Sequence, residues 1–523
     1  MRLEGILGSM KIVLISTYEL GRQPFGVVSP AAWLRKRGHQ VACFDLTRQE
    51  LDQNVVRAAV LIAIYLPMHT ATRLAAKLIP TLREQNPAAH ICCYGLYAPM
   101  NAKYLRSLGA QTILGGEFEG GLVSLAERMS ARSNSGENPS FHAQSEPVSE
   151  EPATRHKSVA HADPAAQLEP IVSLERLAFE VPDRAGMPPL AKYAHLIIPG
   201  GGYRVVGSTE ASRGCKHLCR HCPIVPVYNG VFRIVSREVV MADVRQQVAA
   251  GAQHISFGDP DFFNGIRHAL ELVTAFHSEF PDVTYDVTIK IEHLRKYEQH
   301  LKTLRDTGCL FVISAVESVD DRILHRLDKG HTREDFLHVA RTFRSLGMTL
   351  HPTFVAFTLW TTMDGYLDLL RVLAAEELVE NVAPIQLGIR LLIPEGSRLL
   401  ELEEVRLGVG AFDAESLVYP WQNPDTRVDK LSQIVQSIAA DADRKKESRS
   451  VAFAKIWTAA HTAAHGAVGI EAPQLAQLSG VAVPFLSEPW YCCAEPTKEQ
   501  LISIGSAAKK PPEPATASAD GFV

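Results

Sequence analysis

No apolar run in this 523-residue sequence approaches the roughly 18 residues that a membrane-spanning helix needs, so no membrane partner is expected. The opening MRLEGILGSM lacks the charged, apolar and small-residue succession of an export signal, which sets the expected location in the cytoplasm. An excess of basic charge is also missing: 53 Lys and Arg against 58 Asp and Glu leave a net charge of -5, with no global footprint for nucleic acid. Cysteine is scarce, nine residues without an even framework, which points away from disulfides and toward ligand or redox chemistry in a reducing compartment. What is present, 46% hydrophobic and 21% charged residues, fits a globular enzyme of roughly three domains at about 150 residues each.

The chain divides by pattern. Across residues 1–130, the apolar runs KIVLIST, VACFDL, VLIAIYL, HICCYG and QTILGG alternate with helix-like segments. This predicts a doubly wound, flavodoxin-like parallel sheet with ligand space above the strand carboxyl ends. Residues 131–168 are rich in Ser, Pro, Glu and Ala with almost no large apolar side chains, and read as a disordered linker. Over 169–400, the strand before Cys215 and the runs HISFGD, YDVTIKI, LFVISAVES, TLHPTFVAF and IQLGIRLLIP make six strand-helix repeats. Six suit a partial (β/α)6 barrel with its active site at the strand carboxyl ends. Residues 401–500 read as a mainly helical extension that carries SEPWYCCAEP, and 501–523 as a disordered tail.

RGCKHLCRHCP places Cys215, Cys219 and Cys222 within eight positions, just after the first barrel strand. Three thiolates can hold three irons of a 4Fe-4S cube and leave the fourth open to an external ligand. Zinc would need a fourth ligand, which His217 or His221 could supply. CxxxCxxC in this setting resembles the radical S-adenosylmethionine (SAM) superfamily. That resemblance implies a 4Fe-4S cluster whose open iron chelates SAM, an external reductant such as flavodoxin or ferredoxin, and formation of a 5'-deoxyadenosyl radical.

Further residues extend the likeness. FGDPDFF ends the second strand, where the superfamily meets the amino group of SAM, and implicates Asp259 and Asp261. AVESVDDRILHRLDKGHT is similar to the fourth-strand segment of the cobalamin-type branch, with Glu317 and Ser318 facing the cofactor and Lys329 nearby; Ala315 stands where that branch has Gly. IRLLIPEGSRL offers Arg390 to the SAM carboxylate, and His221 occupies the place of an aromatic residue against the adenine. Taken singly, each has a plainer reading as a turn, cap or surface charge.

In the first domain, GRQPFGVVSPAAWLRKRGHQV and TILGGEFEGGLVSLAE are similar to the first and last units of the cobalamin-binding domain of that branch. The likeness implies cobalamin as a further cofactor, with Gly21, Gly115 and Gly116 at turns where a ring could approach the backbone. DxHxxG is absent, so no histidine below cobalt is implied. PWYCCAEP resembles the tail of the CUAEP/CCAEP-tail radical SAM proteins, where selenocysteine can occupy the second position, and so makes Cys492 and Cys493 candidate catalytic thiols. Cobalamin-assisted methyl transfer or rearrangement on a small or medium-sized substrate is the resulting expectation. Two alternatives stand beside it: a radical SAM enzyme without cobalamin whose first domain recognises substrate, and a zinc-bearing binding or regulatory protein. HTAAH, with His461 and His465, lacks the Glu of a zinc-protease helix, and Cys43, Cys92, Cys93 and Cys309 read as small buried hydrophobes.

Overall fold

The computed structural model describes residues 9–134, 167–466 and 482–488. Six parallel strands, β1 (Lys11–Ser16), β2 (Gln40–Asp45), β3 (Leu61–Tyr65), β4 (His90–Tyr94), β5 (Thr112–Gly116) and β6 (Val172–Ser173), form the first sheet in the order β2-β1-β3-β4-β5-β6. The order of the first five is the expected doubly wound one. Helices cover both faces, so a central strand such as β3 is buried along its whole length and carries no polar alternation. Successive side chains feed opposite cores: Val13, Ile15, Ile62 and Ile64 point to one, Ile12, Leu14, Leu61 and Ala63 to the other.

The second sheet is built from β7 (His195–Ile197), β8 (Tyr203–Thr209), β11 (His254–Phe257), β12 (Thr284–Thr288), β13 (Cys309–Glu317), β14 (Thr349–Phe354) and β15 (Phe485–Leu486), while β9 (Ser212–Gly214) and β10 (Phe232–Ile234) make a separate antiparallel pair. Its order is β14-β13-β12-β11-β8-β7-β15, with β8 and β11 to β14 parallel and β7 and β15 antiparallel at one edge. The sheet curls into a half barrel. The strand expected at IQLGIRLLIP is reduced to one parallel bridge, Phe357 to Arg390, because Pro384–Gly388 winds into a 3-10 turn. Proline at the start of that segment cannot donate to a ladder and favours the turn.

Helices Thr426–Lys445 and Arg449–His465 form the extension and pack on each other and on the 3-10 turns Val379–Asn381 and Pro384–Gly388, the left-handed Lys446 turning the chain between them. Helix Phe118–Asn134 enters the expected linker, and Gln167 leaves it, its amide nitrogen donating to the Ile113 carbonyl (2.9 Å). β6 then adds to the first sheet beyond the expected boundary at 168. The linker between those points, the pair Cys492 and Cys493, and the tail 501–523 lie outside the described residues. No helix among the described residues is long and apolar enough to cross a membrane.

Candidate functional site

The loop bearing Cys215, Cys219 and Cys222 leaves β9 at Gly214, whose φ of +73° lies in the left-handed region; a Cβ there would run into the Val231 carbonyl and the Tyr228 ring. β10 pairs with β9, and the Lys216 ammonium sits 4.8 Å over the Phe232 ring, which fixes the loop at its start. Its far side is tacked to the barrel. The Arg220 amide donates to the Leu327 carbonyl (2.9 Å), and Arg398 donates to the Leu218 carbonyl (3.3 Å). Burial pushes the Cys215 thiol up to about 11, with the charge of Asp261 adding to the effect, so a metal must displace its proton.

A zinc ion holds its sulfurs about 3.8 Å apart, from bonds of about 2.3 Å in a tetrahedron. Among the described residues, the trio of ligand-type side chains whose atoms all lie within 4.8 Å of one another is His217, Asp261 and His293, not the three cysteines. His217 and His221, the sequence candidates for a fourth zinc ligand, both turn to carboxylates instead.

Around this loop the strand ends supply two charged groups. His221 Nε2 lies 3.1 Å and Lys329 Nζ 3.4 Å from Glu317 Oε1, joining three of the residues that the sequence singles out. Glu317 stands at a register shift between β13 and β14 with φ +71°. Burial alone would raise its carboxyl, but the charge of Lys329 and the hydrogen bond from His221 hold it down to about 2. Of the second group, sequence reasoning singled out Asp261 and His217 but not Lys290, Glu292 or His293. Asp261 Oδ2 lies 2.7 Å from His293 Nδ1 and 3.3 Å from His217 Nε2, and His217 Nδ1 meets Glu292, which Lys290 also holds at 3.0 Å. Lys290, Glu292 and His293 directly follow β12, so the signal was a polar cluster immediately after a strand of the barrel.

Other candidates are occupied locally. Asp259 accepts from the Ala211 amide (2.9 Å) and from the Ser212 hydroxyl, and so braces the β8–β9 turn. The Ser318 hydroxyl accepts from the Asp320 amide. Arg390 pairs with Asp429 at 2.7 Å and lies 4.0 Å over the Trp421 ring, which ties the barrel to the helical extension. At the three glycines the close approach comes from the chain itself: a Cβ at Gly21 would strike Glu488, at Gly115 Pro99, and at Gly116 the Ser173 carbonyl.

Between the carboxyl ends of β3 to β5 and the β8–β9 turn lies a cavity with about 580 Å³ of open space, partly continuous with solvent. Tyr65, Gly116 and Phe118 line its first-sheet side, and Arg213, Tyr228 and Pro260 its barrel side. Arg213, two residues before Cys215, is buried against Glu119 (2.7 Å), Glu210 (2.8 Å) and Glu117 (3.4 Å), with the Phe25, Phe118 and Phe179 rings around its guanidinium. This network joins the first sheet to the cysteine loop.

Residues 209–364 match the family model of the Radical SAM superfamily. Hopanoid C-3 methylase of Methylococcus capsulatus is 26% identical over 153 residues, which are 29% of this chain and 29% of that protein. The chain thus aligns with less than a third of that curated relative's length. Among solved structures, the cobalamin-dependent S-adenosylmethionine radical enzyme OxsB with aqua-cobalamin and S-adenosylmethionine bound superposes with a TM-score of 0.62 at 14% identity, covering 84% of this chain and 67% of that one. TsrM, a radical S-adenosylmethionine methyltransferase from Kitasatospora setae, gives 0.53 at 16% identity, over 76% of this chain and 77% of that one. The likeness to both is one of fold, spanning the first sheet and the barrel. The chain carries a radical SAM domain.

Proposed function

We propose that this radical SAM domain serves a cobalamin-assisted enzyme that transfers a methyl group to, or rearranges, a small or medium-sized substrate. The observation that carries the radical part is the cysteine triad at the barrel mouth within residues 209–364. Cys215, Cys219 and Cys222 would hold the 4Fe-4S cluster, which when bound supplies the electron that cleaves SAM to the 5'-deoxyadenosyl radical. His221, Glu317 and Lys329 form the charged wall against which SAM would lie. Glu317 stays ionised there and can hold a cationic group, while Lys329 keeps that carboxylate fixed. The cavity beside Tyr65 and Phe118 would take the face of a cobalamin, which supplies methyl-transfer chemistry when bound. The enzyme would work in the cytoplasm with reduced flavodoxin or ferredoxin, and the PWYCCAEP segment supports placing it near the CCAEP-tail proteins, with Cys493 as a reacting thiol.

Anaerobic reconstitution should give about four irons per chain and reductive formation of 5'-deoxyadenosine, both lost in the Cys215→Ala, Cys219→Ala, Cys222→Ala triple variant. Stoichiometric zinc in place of iron would overturn the reading. Retention of hydroxocobalamin through gel filtration tests the cobalamin part. A radical SAM enzyme without cobalamin is favoured by one observation, the closure of all three glycine turns by the protein's own atoms, and it gains if no corrin is retained. Cys493→Ser should leave SAM cleavage intact and block product formation.

A further inference from the structure

A second cavity with about 600 Å³ of open space, again partly continuous with solvent, is lined from β13, β14 and β15. On β13, Val312 and Val316 point outward to the helices, while Phe311 and Ile313 face inward and line the cavity. Glu317 ends the same strand, four residues beyond Ile313, or roughly 13 Å at about 3.3 Å per residue. The cavity and the charged wall therefore lie along one strand of the half barrel.

β15 and its flanks form the opposite wall. Phe485 and Leu486 contribute apolar surface, and the Pro484 carbonyl meets His351 Nε2 at 2.8 Å, which draws this edge toward β14. Arg449 stands at one end. It is the first residue of helix Arg449–His465, where the positive end of the helix dipole disfavours a cation. Its guanidinium donates to the Glu380 carbonyl (2.6 Å) and lies 4.3 Å over the Phe485 ring, and no carboxylate among the described residues comes within 4 Å of it. Burial lowers it to about 10, the Glu380 charge opposing only in part. Arg22 reaches the same cavity from the first domain. The carboxylate on the wall, Glu488, already accepts from the Tyr18 hydroxyl (2.9 Å) and faces Arg48 at 3.5 Å. The cavity thus has an apolar body and, at one end, the Arg449 guanidinium, held by a carbonyl and a ring with no carboxylate among the described residues within 4 Å, an arrangement that an anion would complete.

We infer that this cavity is the substrate pocket and that it takes an amphiphilic anion, an apolar body ending in a carboxylate, with the carboxylate on Arg449. The inference rests on the radical SAM reading for the word substrate, but binding can be measured without turnover.

Octanoate and octanamide serve as probes on reconstituted full-length protein, read by calorimetry. Octanoate should bind at least tenfold more tightly than octanamide. Arg449→Met should remove that preference, and Arg449→Lys should keep most of it. Ile313→Trp, which fills the pocket, should weaken both probes. Iron content should be unchanged in the Arg449→Met protein. Equal affinity for the two probes in the native protein, or an undiminished preference in Arg449→Met, would overturn the assignment. A native protein that prefers octanoate but never cleaves SAM sinks the radical reading and leaves the anion site standing.

Discussion

The carboxyl ends of the two parallel sheets present the same kind of turn but are filled differently. In the first sheet, Tyr65, Tyr94 and Phe118 pack with ring centroids 5.0 to 5.9 Å apart, and Glu488, Pro99 and Ser173 close the glycine turns. Two of its charges, Glu117 and Glu119, are gathered with Glu210 of the half barrel on one cation, Arg213. Buried polar atoms without a hydrogen-bond partner remain at both sets of strand ends, Ser16 Oγ and Glu117 Oε1 in the first sheet and both ring nitrogens of His331, Nδ1 of His221 and Nδ2 of Asn264 in the half barrel. A buried polar group left unpaired is costly, so such a concentration marks a place prepared for other atoms. The first end gathers its charges on one cation, while the second spreads them over separate pairs.

If the first end is structural, breaking it should cost stability before chemistry. Arg213→Met leaves three buried carboxylates without their cation and should destabilise the protein by about 3–5 kcal/mol, read as a fall in melting temperature. Adding Glu119→Gln should recover part of that loss, since the most closely paired carboxylate is then neutral. Recovery of nothing would mean that the network is not energetically coupled.

Breaking the second end should do the reverse. Lys329→Met removes one of the two groups that hold Glu317 and should lower 5'-deoxyadenosine formation about 10- to 100-fold while iron content is kept. Unchanged SAM cleavage would move the cofactor wall elsewhere in the barrel.

Arg390 sharpens the comparison, because the sequence put it at the SAM carboxylate and the fold puts it on Asp429 and Trp421. Arg390→Met should cost about 1–2 kcal/mol of stability and leave the KM for SAM within twofold. A large rise in KM would restore the cofactor role.

The smallest effect concerns pH. Burial raises the Glu117 carboxyl to about 7, the charges of Glu119 and Glu210 assisting and Arg213 opposing. Between its ordinary value of 4.5 and about 7, the folded protein keeps a proton that the unfolded chain has lost. Stability should therefore be full below about 4.5, decline as pH rises through that window, and level off above it. Glu117→Gln should flatten this part of the profile in denaturant titrations at several pH values.

Much of the fold was legible because it rests on local periodicity. Alternating apolar runs and helices in residues 11–129 specify a parallel sheet covered on both faces, and the strand order follows from the short connections. The cysteine triad was legible for a different reason: its thiols are close in sequence, so the spacing that carries the resemblance to the radical SAM superfamily is visible there. Glu317, Lys329 and His221 were legible only through a resemblance, and they do meet. His217, Asp261 and His293 come from a loop, a turn after β11 and a helix after β12, and nothing in their local sequence announces that they converge.

Tertiary structure alone decided which charges are shared and which are left over. Asp259 and Asp261 are two residues apart, yet one braces a turn while the other faces two imidazoles. Arg390 and Arg449 are equally basic in the sequence; one has a carboxylate and a ring, the other a carbonyl, a ring and an open cavity. The sequence by itself determined the elements, their order and the thiol triad, because those depend on neighbours a few residues away. The desolvation of a charge and the identity of its partner depend on groups that folding brings from 40 to more than 400 positions away, as with Arg390 and Asp429 or Tyr18 and Glu488, and no local pattern can encode them.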